Sequence, residues 1–96
     1  MTTSDILAAT RSRLTPETWG KGGNGECLMR ALGHIVVNPI RTKAYRLLFT
    51  CALGHGLGSL HMWQDAPERT LADVHALLDA AIVIAQDQER AVEVPA

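Results

Sequence analysis

Apolar residues recur along this 96-residue chain at intervals of three and four, the spacing of a single helical face. Ile6, Leu7, Thr10 and Leu14 form the first such stripe, with Ser4 as a cap and Asp5 as a negative charge at its start. Thr15-Pro16-Glu17 reads as a second cap with proline in the first helical position, hence a short turn carrying Trp19. The next run, Gly20-Lys21-Gly22-Gly23-Asn24-Gly25, is a loop by backbone entropy. Cys27, Leu28, Ala31, Leu32 and Ile35 predict a second helix over about 26–36. Asn38-Pro39 then stops one helix and starts another, whose stripe is Ala44, Leu47, Leu48, Cys51 and Ala52. That helix ends in the glycine-rich run 54–58, with Gly54 as a candidate left-handed cap.

Residues 59–69 read as a loop, and the clearest signal follows. Thr70-Leu71-Ala72-Asp73 has the form of a capping box, a hydroxyl followed three residues later by a carboxylate. Leu71, Val74, Leu77, Leu78, Ala81, Ile82 and Ala85 then hold one face. The pattern fades near residue 88, so residues 89–96 are expected to fray and the ordered core to span about 4–88. No stretch alternates long enough to require a sheet. The expected fold is all-α: one domain over 1–96, a compact three- to four-helix unit with Gly-rich loops.

Composition narrows the chemistry. Four aromatic residues leave the core to Leu, Ile, Val and Ala, which suits helix packing. A net charge of −1 lacks the whole-domain basic footprint of a nucleic-acid binder, although Arg41, Lys43 and Arg46 lie close together, as do Arg11 and Arg13. Cys27 and Cys51 fall within helical patterns and read as buried thiols, not as a disulfide. The first residues carry no secretory pattern, and no apolar run reaches the roughly 20 residues of a membrane span. The expected location is cytoplasmic, with no membrane partner and no cofactor.

The run Trp63-Gln64-Asp65-Ala66-Pro67-Glu68-Arg69-Thr70, followed by Asp73-Val74 and Leu77-Leu78, is the most specific in the chain. It resembles the signature Trp-Asn-Asp-x-Pro-x-Arg-Thr of a family of small uncharacterised proteins of actinobacteria and their phages. Upstream, Trp19-Gly20 and Cys27-Leu28-Met29-Arg30-Ala31-Leu32 are similar to that family's Gly-Trp and Cys-x-x-x-Ala-Leu segments. Gln64 stands where the signature has Asn, and Thr18 precedes Trp19 where it has Gly. The resemblance implies an architecture and no activity.

Within that motif every residue has a local duty open to it. Asp65 can accept from turn backbone or pair with Arg69, Thr70 can cap, and Trp63 can pack over the junction. The same residues form a candidate binding surface, because Trp and Arg are frequent binding hot spots; Trp19, Arg30, Trp63, Asp65 and Arg69 are its candidate residues. Gly23-Asn24-Gly25-Glu26-Cys27-Leu28 resembles the nucleophile segment of ovarian-tumour-type cysteine proteases. That resemblance implies Cys27 as nucleophile, with His61, His55 or His34 as base. Asn24 replaces the Asp of that pattern, and a core role also accounts for Cys27. Cys51, His55 and His61 are metal candidates, to which Cys27 or His34 could be added, but their spacing fits no recurring zinc pattern. The glycine loop lacks the ending of a phosphate-binding P-loop. His75 is expected to face solvent. The reading that results is a small non-enzymatic accessory protein acting through a protein partner or as a homodimer. A Cys27-dependent hydrolase and a small-ligand or metal-binding domain are the alternatives.

Overall fold

A computed structural model describes residues 1–21, 25–53 and 59–93, apart from the side chains of His61, Val92 and Glu93. It contains α1 (Thr3–Arg13), α2 (Leu28–Ile35), a 3-10 turn (Pro39–Arg41), α3 (Lys43–Leu53), α4 (Leu60–Asp65) and α5 (Leu71–Glu93). The fold is all-α, as the periodicity requires. Among the described residues the only extended pairing is one isolated parallel bridge between Trp19 and Glu26. No described helix is long and apolar enough to cross a membrane.

The stripes read from the sequence form the core. Leu7 and Leu14 of the first segment meet Leu28, Ala31 and Leu32 of α2, Ala44 and Leu48 of α3, and Val74, Leu77, Leu78, Ala81 and Ala85 of α5, all buried. Helices α1 and α5 run antiparallel along their length. Ser4 Oγ donates to Glu89 Oε1 at 2.6 Å, Arg11 Nε lies 2.7 Å from Asp79 Oδ1, and His75 Nε2 lies 2.7 Å from the Leu14 carbonyl. His75 therefore does not face solvent. It donates to a carbonyl at the end of α1 that has no partner within the helix.

Several boundaries differ from the sequence pattern, each for a local reason. The cap of α1 is Thr2: its hydroxyl accepts from Asp5 N–H while Asp5 returns a bond to Thr2 N–H. Ser4, the expected cap, is spent on Glu89. Asn38 sits in the left-handed region at φ 52° without a side-chain cap, and Pro39 opens only a 3-10 turn. Thr42 then restarts the chain as α3, its hydroxyl accepting from Tyr45 N–H at 3.1 Å. The 59–69 stretch is not all loop, because Ser59 Oγ accepts from Met62 N–H and starts α4. The capping box at Thr70 and Asp73 forms as read. From it α5 continues for 23 residues to Glu93, beyond the point where the apolar pattern fades, with Glu89 tied to Ser4. Gly54 lies outside the described residues.

Candidate functional site

The side chain of Gln64 joins three parts of the chain that are remote in sequence. It is 1% exposed. Its Oε1 accepts from the indole N–H of Trp19 at 3.0 Å and from the backbone N–H of Leu28 at 2.7 Å. Its Nε2 donates to Asp65 Oδ1 at 2.8 Å and to the Gly20 carbonyl at 3.5 Å. Leu28 opens α2, so its N–H is one that the helix cannot satisfy itself. Gln64 thus caps α2 from across the fold and fills its own hydrogen-bonding capacity.

Around this node each segment is locked by a second contact. Lys21 Nζ donates to the carbonyls of Ala66 at 2.5 Å and Pro67 at 3.3 Å, and lies 5.8 Å from the Trp19 ring centroid. Arg69 lays its guanidinium 4.0 Å above the Trp63 ring centroid while its Nε donates to the Trp63 carbonyl at 2.9 Å. Both side chains are half-buried. The stacked pair clamps the end of α4 to the residue that precedes the Thr70 cap, which fixes the angle between α4 and α5.

The loop leading to α2 is held as tightly. Glu26 N–H donates to the Thr18 carbonyl at 2.7 Å, and Gly20 N–H donates to the Glu26 carbonyl at 3.2 Å. Glu26 takes Arg13 in a two-pronged pair at 2.8 and 3.2 Å. The Arg13 guanidinium holds the Glu26 carboxyl below the ordinary carboxylate range. Gly25 stands at φ 153°, and a Cβ there would lie 2.8 Å from both Gly20 N and the Thr18 carbonyl oxygen.

Of the five candidate binding residues, four are drawn together here: Trp19, Trp63, Asp65 and Arg69. Arg30 is separate, exposed in the first turn of α2. The participant that sequence reasoning missed is Gln64, noted only as a departure from a signature. An amide side chain set directly between Trp63 and Asp65 was the available signal.

Cys27 is not on the buried stripe of α2 but half-exposed at its N-cap, where Sγ accepts from Arg30 N–H at 3.4 Å. This is a capping duty. Of the proposed bases, His55 and the side chain of His61 lie outside what is described, and His34 is exposed in the last turn of α2. Cys51, a free thiol like Cys27, is half-buried on α3, and burial pushes its pKa up. Its candidate metal partners are the same two histidines. Among the described residues no three metal-ligating side chains converge, and there is no pocket.

Comparison with known proteins gives one family. The model of DUF6197, a family of unknown function, matches residues 1–83. The matched span takes in Trp19, Cys27, Gln64 and Arg69 together. No curated protein and no solved structure matches the chain.

Proposed function

We propose, from the premise that this chain belongs to the DUF6197 family of unknown function, that it is a small non-enzymatic accessory protein acting through protein–protein contact. The motif resemblance extends this reading to actinobacteria and their phages, with a second copy of the chain or a host or regulatory protein as the target.

One observation carries the reading. Large aliphatic side chains stand in solvent on a turn whose backbone is held in place: Val37 is 86% and Ile40 63% exposed, on either side of left-handed Asn38 and ring-constrained Pro39. A rigid exposed aliphatic pair loses little entropy on docking and gains by leaving water. The polar and aromatic side chains of the Gln64 node, by contrast, bond to one another.

The test is affinity capture with the wild-type chain and with Val37→Asp/Ile40→Asp. The expected result is loss of the captured protein with an unchanged melting temperature. Capture that survives both substitutions removes the reading. A hydrolytic activity abolished by Cys27→Ser replaces it with the enzymatic alternative, since serine retains the cap.

A further inference from the structure

The net charge of −1 conceals a strong division along the chain. All ten acidic residues lie outside positions 27–64, and that span holds Arg30, Arg41, Lys43 and Arg46. The five other basic residues are engaged within the fold. Arg11 pairs with Asp79, Arg13 with Glu26 and Arg90 with Asp87, while Lys21 and Arg69 bind carbonyls. The four central ones are exposed and make no ion pair or side-chain hydrogen bond among the described residues.

Their positions also oppose the local electrostatics. Arg30 is in the first turn of α2, and Lys43 and Arg46 are in the first turn of α3; neither turn contains an acid. Cations there face the positive end of a helix dipole. The far end of α5 has the reverse arrangement, with Asp87, Glu89 and Glu93 near its negative end and Arg90 as the basic residue there. Over its length α5 carries five acids and one arginine. Each surface also has exposed aliphatic residues beside its charges: Val37 and Ile40 on the basic one, Val83 at 56% and Ile84 at 38% on the acidic one. Two such breaches of local preference, opposite in sign, are relieved together when the surfaces meet.

We propose that the chain self-associates, the face formed by α2, the 3-10 turn and the start of α3 in one copy docking on the C-terminal half of α5 in a second copy. This rests on the protein-contact reading and names the partner as the chain itself. Four positive charges meet Asp87, Glu89 and Glu93, offset by Arg90 to a net of two negative ones, around an aliphatic centre contributed by both copies. A nucleic acid fits the surface less well. It would offer phosphates beyond a four-charge patch, toward the acid-bearing remainder of the molecule, and Val37 and Ile40 supply no ring for bases to stack on.

Sedimentation velocity of the full chain tests the proposal, run over a concentration series in about 0.02 M and about 0.5 M salt. The expected result is a concentration-dependent larger species at low salt, with apparent Kd at least about tenfold weaker at high salt. Lys43→Glu/Arg46→Glu should be monomeric with unchanged circular dichroism and a melting temperature no lower than that of the wild type. Mixing it with Asp87→Arg should restore a two-chain species. Should the double charge reversal fail to fold, Lys43→Gln/Arg46→Gln carries the same expectation. A wild-type chain that stays monomeric at low salt overturns the proposal, as does association indifferent to salt and to these substitutions. Salt-sensitive binding of a short DNA duplex by a monomeric chain overturns it in favour of a polyanion. A monomeric chain whose captured partner still depends on Val37 and Ile40 defeats self-association and leaves the protein-contact reading intact.

Discussion

The indole N–H of Trp19 donates to Oε1 of Gln64 across 3.0 Å, joining residues 45 positions apart. The same oxygen takes the Leu28 N–H that opens α2, so one buried amide holds the α1–α2 connection, α2 and α4 in register. Replacement by an apolar residue of similar size leaves the Trp19 and Leu28 donors without an acceptor. Gln64→Leu should therefore cost about 2–4 kcal/mol in urea denaturation. A cost below about 0.5 kcal/mol would mean that the node does not organise the fold.

Arg69 acts through shape as well as charge, since its plane covers the Trp63 ring and its Nε reaches the Trp63 carbonyl. Lysine keeps the charge and loses both features. Arg69→Lys should lower stability by about 1 kcal/mol, read as a fall in Tm. Unchanged Tm would show that the guanidinium is dispensable to the α4–α5 junction.

Gly25 is fixed by close approach of backbone to backbone. A methyl group there meets Gly20 and Thr18 main-chain atoms at 2.8 Å, and φ 153° disfavours any L side chain. Gly25→Ala should destabilise by at least about 1–3 kcal/mol, whereas Gly33→Ala, with open space around its Cβ position, should be neutral or slightly stabilising. Parallel thermal melts of the two variants check the contrast.

Acid should weaken the fold through two carboxylates. Glu26 is held low by Arg13, and Asp73 by the Thr70 backbone N–H it accepts in the capping box. Both folded values lie below the unfolded ones, so near the usual carboxylate range of about 4 the unfolded chain binds more protons. Their contribution is complete above that range and disappears as pH falls through the folded values. Melting temperature should drop as pH is lowered below about 4, and Glu26→Gln with Asp73→Asn should flatten that slope. An identical slope in the double variant would assign the acid sensitivity to other groups.

In the geometry, the residues of the Trp63–Thr70 motif are employed in holding the fold together. Trp63 and Arg69 are turned on each other, half-buried, at the angle between α4 and α5. Asp65 shares in the node through Gln64 Nε2. The motif was legible in the sequence because it is contiguous; its connection to Trp19 and Leu28 was not.

The sequence by itself determined the all-α fold, the buried stripes and the Thr70–Asp73 cap. These depend on periodicities and hydrogen bonds that span three or four residues, and Leu7, Leu28, Leu48 and Leu78 are buried where their spacing placed them. Only the tertiary structure decided what happens to polar groups whose partners are remote. It turned Ser4 from cap to donor for Glu89, turned His75 inward to Leu14, moved Cys27 from stripe to cap, and made Gln64 the acceptor for two distant donors. A helix end leaves backbone groups unsatisfied, and which side chain satisfies them depends on which elements pack alongside.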